Sequence, residues 1–132
     1  MEIDESKVLE ALKLAGKEQE KMVKTAEALE TPVDANQLIE DVKKWGRENG
    51  IDDPRGQFVK IVEELGEMAH EEARKRWTPE MVDAIGDTLI TVILYAQAAG
   101  IDPVGALYAA FSEVSERKGA IVDGVFVKEE DM

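Results

Sequence analysis

Apolar residues recur in alternating steps of four and three along the first thirty positions: Val8, Leu12, Ala15, then Met22, Ala26 and Leu29, with Gln19 in the vacant slot. This is a heptad-like stripe on one face of a long helix, predicted from Asp4 to Leu29. Thr31-Pro32 ends it, because a proline pushes its predecessor out of helical conformation. A second helical run (Leu38, Ile39, Val42, Trp45) lies between Asp34, which with Gln37 resembles a capping box, and the stop Asn49-Gly50 near Glu48. Asp53-Pro54, Thr78-Pro79 and Asp102-Pro103 each place a capping side chain before a proline suited to the first helical position. They predict a third helix to about Lys75, a fourth stopping at Gly100 and a fifth stopping at Gly119. On the third, Phe58, Ile61, Val62, Leu65, Met68 and Ala69 share a face. The fourth is apolar nearly all round from Met81 to Ala96, which predicts burial. The pattern then changes. Ala120-Ile121-Val122, Asp123-Gly124 and Val125-Phe126-Val127 predict a hairpin with a two-residue turn. The fold expected is all-α: an antiparallel bundle of about five helices with a short C-terminal β-hairpin.

With 132 residues the chain reads as one domain, large enough to bury a core without staples. It contains no cysteine, which removes disulfides, thiolate nucleophiles and zinc–thiolate sites. The acidic N-terminus has no long apolar run, so no signal peptide is expected, and the uninterrupted apolar stretch Thr88–Ala99 falls short of a membrane span. The expected location is cytoplasmic. A net charge of −13 argues against general binding to nucleic-acid phosphates. It leaves room for a phosphate-bearing substrate, since a bound divalent cation inverts the local charge.

The candidate chemistry lies in the carboxylates. Glu63, Glu64 and Glu67 sit on the third helix, and Asp83 and Asp87 on the fourth. Residues three or four apart share a helical face, so two such helices side by side can aim several oxygen ligands at one point, as hard cations require. An acidic face on an amphipathic helix is ordinarily just solvated. The fourth helix alters that balance, because carboxylates in a segment expected to be buried need a cation, a partner or a proton. His70 is the single histidine and supports no metal spacing. Ser6, Ser112 and Ser115 have no adjacent histidine, and no glycine-rich phosphate loop follows a strand. Trp45 and Trp77 are ordinarily packing residues, although either can stack on a base.

Gln57-Phe-Val-Lys60-Ile-Val-Glu63-Glu64-Leu-Gly-Glu67 resembles the Q-x-x-K-x-x-E-E-x-x-E signature of the MazG-like nucleoside triphosphate pyrophosphohydrolases, which are all-α enzymes. Asp83-Ala-Ile-Gly-Asp87 is similar to their second motif, usually E-x-x-D. Here Ala84 stands in place of the usual glutamate and Asp83 lies one residue earlier. Ser112 stands where many members carry asparagine. Arg117-Lys118-Gly119 and the tail Asp123–Lys128 resemble phage-type members. The resemblance covers about Leu38 to Lys128. It implies a catalytic domain over residues 32–132, preceded by an extra helix over residues 1–31, a candidate oligomerisation arm that either bridges subunits or folds back on its own.

The resemblance further implies Mg²⁺-dependent hydrolysis of an NTP or dNTP to the monophosphate and pyrophosphate, with Mn²⁺ as a substitute and nucleotide-pool housekeeping as the role. It casts Glu64, Glu67, Asp83 and Asp87 as the metal shell and Glu63 as the group that orients or deprotonates water. Gln57, Lys60, Arg117 and Lys118 become substrate contacts, and Trp45 the base stacker. Dimers or tetramers with sites completed by a neighbouring subunit are implied, with no nucleic-acid or membrane partner. The rival reading is a non-catalytic acidic helical oligomer serving as an interaction module, which the N-terminal stripe favours.

Overall fold

Side-chain caps start the helices where the sequence places them. The computed structural model describes residues 4–74 and 78–132. It contains α1 (Glu5–Glu30), α2 (Ala35–Glu48), α3 (Pro54–Ala73), α4 (Pro79–Ala98) and α5 (Pro103–Val114), then strands β1 (Gly119–Val122) and β2 (Val125–Lys128) and a terminal 3₁₀ turn, Glu129–Asp131. Asp4, Asp34, Asp53, Thr78 and Asp102 each accept backbone N–H bonds from the first turn of the helix they precede. The cap at Asp34 is half a capping box: Gln37 Nε2 donates forward to Asp41 Oδ1 at 2.9 Å instead of back to the cap backbone. The expected end of the third helix at Lys75, and Trp77, lie outside the described residues.

α5 is shorter than expected. It ends at Val114, with Ser115 as its C-cap, because Gly119 begins β1 instead of ending a helix. The hairpin matches the expectation. Asp123 and Gly124 have φ of 50° and 80°, the two positive values a type I′ turn needs, and Ala120 pairs with Val127.

α4 is the hub, contacted by α1, α2, α3 and α5. α3 runs antiparallel to it: Phe58 stacks at a tilt on Tyr95, Thr88 Oγ1 donates to Met68 Sδ, and Thr78 Oγ1 donates to Glu71 Oε2. α2 also runs antiparallel to α4. A Cβ at Gly46 would collide with Leu94 Cδ2, so glycine there permits close approach. Gln97 locks the pair by donating to the Lys43 carbonyl at 3.1 Å and accepting from Arg47 Nη1 at 3.1 Å.

The expected all-round burial of α4 is corrected. Ala84, Leu94 and Ala96 are buried, but Ile85, Leu89, Ile90 and Val92 are exposed, as are Asp83 and Asp87. Four helices touch α4 without enclosing it. The whole of α4 is also long and apolar enough, by length and composition, to cross a bilayer, which the shorter uninterrupted run did not reveal. The chain exposes 10673 Å². A closed monomer of 14.6 kDa exposes about 6,900 Å² by size scaling, so this fold is unusually open.

Candidate active site

The antiparallel α3–α4 pairing brings Asp87 of the second acidic motif, but not Asp83, toward Lys60 of the first. Glu63, Glu64, Glu67, Lys60, Gly66 and His70 line an open groove along α3. Lys60 Nζ donates to Glu63 Oε2 at 2.8 Å. The Lys60 ammonium is held above its ordinary pKa, first by this hydrogen bond and the charge of Glu63, then by the nearby charges of Glu64 and Asp87, against some desolvation. Asp87, on the other helix, is thus within the field of the Lys60–Glu63–Glu64 group. It also lines a 380 Å³ cavity with Trp45, Asp41, Val42 and Ile90, which puts the indole near the second acidic motif. Gln57 is half-buried, one turn before Lys60 on α3.

Asp83 faces elsewhere. Lys21 Nζ of α1 lies 2.7 Å from Asp83 Oδ2 and 3.6 Å from Glu80 Oε1. The Asp83 hydrogen bond is the first cause of a raised Lys21 pKa. Thr25, one turn further along α1, is buried. Thr91, one turn beyond Asp87 on α4, is also buried, and its hydroxyl donates to Thr88 O of its own helix at 2.8 Å.

Arg117 and Lys118 do not join the carboxylates within one chain. They line a separate 520 Å³ cavity with Lys128, Glu113, Glu129 and Glu130, and Arg117 Nη2 is 3.3 Å from Glu113 Oε1. Among the described residues no three Asp, Glu or His side chains converge closely enough to hold a metal ion by themselves.

Two acidic-face features were absent from the sequence reading. Glu71 belongs by spacing to the exposed acidic stripe, yet it is buried with Thr78, whose hydroxyl also caps α4 at Met81 N. The packing of the end of α3 against the start of α4 brings these two together. Lys21 is one of several lysines on an exposed helix, and nothing in their spacing singles it out.

Comparison with known proteins adds one finding. Over 75 residues the chain is 33% identical to an uncharacterised 18.2 kDa protein from the rep–hol intergenic region of Haemophilus phage HP1 (strain HP1c1). The match takes in 54% of this chain and 45% of that protein, so it spans less than half the relative's length. No family model and no solved structure matches.

Proposed function

We propose that this chain is a Mg²⁺-dependent nucleoside triphosphate pyrophosphohydrolase that releases pyrophosphate and the nucleoside monophosphate. The observation that supports the reading is that Lys60 of α3, hydrogen-bonded to Glu63, lies within the field of both Glu64 and, from α4, Asp87. The sequence motifs that supply these residues resemble those of the MazG-like enzymes. The donor chemistry fits Mg²⁺, a hard cation held by one or two carboxylates plus waters and substrate phosphates instead of a closed protein cage. Glu64, Glu67 and Asp87 are the carboxylates that would hold it, while Asp83 is taken up by Lys21. Bound Mg²⁺, or Mn²⁺ in its place, would neutralise charge on the phosphates and acidify its own water.

In this reading Glu63 takes the proton of the attacking water. The water oxygen bonds to the α-phosphorus as the bond from that phosphorus to the α–β bridging oxygen breaks, and pyrophosphate departs with the electron pair. Lys60 orients Glu63 through their 2.8 Å contact and faces the phosphates. Trp45, which lines a cavity with Asp87, stacks on the base in this reading, and Gln57 adds a polar contact. Arg117 and Lys118 serve a neighbouring subunit's triphosphate. That assignment goes with a homo-oligomer. Each chain exposes roughly 3,800 Å² more than a closed monomer of its mass, which leaves ample surface for a second copy to cover.

The test is product analysis after incubating a mixed NTP and dNTP pool with Mg²⁺. Pyrophosphate with monophosphate is expected. Orthophosphate with diphosphate, or no metal-dependent turnover, rejects the reading. Light scattering should give a dimer or tetramer; a monomeric, fully active chain rejects the oligomer.

A further inference from the structure

α1 is the longest helix of the chain, yet its own subunit covers little of it. It packs on α4, and among its residues only Thr25 is buried and only Lys21 half-buried. At about 100° per residue these two point the same way, and the apolar stripe lies about a third of a turn from them. The stripe has therefore not folded back on its own subunit. Leu12 is 66% exposed and Leu29 60%, with Val8, Met22 and Val23 exposed beside them. Ala15, Glu18, Gln19, Met22, Val23 and Ala26 line an open groove of 480 Å³ along this face. Gly16 lies at its margin. Glycine weakens a helix interior, and a Cβ at Gly16 would meet nothing among the described residues, so nothing in this subunit calls for it. A second helix seated in the groove would, because Ala15, Gly16 and Ala26 let another backbone come close.

Charge identifies the occupant. α1 carries five lysines and six glutamates, a net charge of −1, while the other 106 residues carry −12. Copies of so acidic a chain repel one another within about 8 Å in physiological salt, and they repel least where they meet through α1. We propose that the α1 groove is filled by α1 of a second copy, in a two-helix pairing along the heptad stripe. Gln19 is the polar slot of that pairing and favours one register at a cost in stability. The interface is additional to the exposed α5 face and independent of the chemistry proposed above.

The experiment uses the full chain and three single variants, with light scattering as the readout and circular dichroism as a check on helicity. Leu12→Asp puts a charge in the stripe. Leu14→Asp puts the same charge on the same helix but off the stripe, at a residue of similar exposure, 61%. Leu12→Asp should lower the wild-type mass by about half, as loss of one two-fold interface does, and Leu14→Asp should leave it unchanged. Gln19→Leu, which removes the polar slot, should lower the dissociation constant about tenfold in a dilution series. A mass unchanged in Leu12→Asp, or lowered equally by Leu14→Asp, overturns the proposal. So does a monomeric wild-type chain, or a dissociation constant that Gln19→Leu leaves unchanged or raises.

Discussion

α4 and α5 are both strongly apolar helices with a proline at their first position, yet they end in opposite environments. Four helices pack on α4, and Leu94 in its last two turns is only 2% exposed. α5 touches α4 but contains no buried residue, with Leu107 70% and Tyr108 74% exposed. Similar composition therefore has two outcomes. An apolar face signals that something must cover it, and the chain's topology decides whether its own helices do so. α4 is covered in part from within. α5 and its hairpin are left exposed, which is the physical basis of the proposed oligomer.

The contrast can be tested from its strongest consequence downward. If the chemistry belongs to the α3–α4 pair, Glu64→Ala and Asp87→Ala should each lower Mg²⁺-dependent turnover at least about 100-fold, the scale of losing a preorganised charged group. Helicity should survive, because both side chains are on the surface of the packed pair. Near-normal turnover at saturating Mg²⁺ would remove the site from these helices. Next, Leu94→Ala should destabilise the fold by about 2–5 kcal/mol in urea unfolding, as a buried leucine truncation does. Leu107→Ala gives the matching measurement on α5. If nothing covers that face, the change stays within about 0.5 kcal/mol, as for surface positions. If a second copy does, Leu107→Asp should lower the mass seen by light scattering. Gly124→Ala, at φ 80°, should cost the hairpin about 1–2 kcal/mol, read as faster amide exchange confined to β1 and β2.

The smallest effect concerns pH. Lys21 has its pKa raised above 10.5 by Asp83. A cation stabilised in this way contributes fully below its unfolded pKa and loses the contribution only as pH rises through the folded value. The spacing between labels on α1 and α4 should then be constant from about pH 7 to pH 9 and widen only above the ordinary lysine range.

Helix starts were legible because caps are local: Asp34, Asp53-Pro54, Thr78-Pro79 and Asp102-Pro103 act within one turn. The end of α5 was less so, since Gly119 suits either a helix stop or the first residue of a strand, and only the pairing of Gly119 with Lys128 decides. The side-by-side packing of α3 and α4 followed from the expectation that consecutive helices pack, whereas the pairing of Asp83 with Lys21 did not. The exposure of Asp83 and Asp87 did not, because periodicity reports what is apolar and not how many neighbours arrive. The Lys21 clasp and the burial of Glu71 depend on contacts between elements, and neither has a local signature.

The openness of the fold has a consequence for how copies meet in solution. Each chain carries a net charge of −13, so approaching copies repel over distances of about a Debye length, roughly 8 Å in physiological salt. The surfaces available for contact, on α5 and the outer side of α4, are mainly apolar. Added salt screens the repulsion and leaves apolar attraction in place. Assembly should therefore tighten as ionic strength rises, the reverse of an interface held by ion pairs, and dilution into low salt should be the gentlest way to separate the subunits.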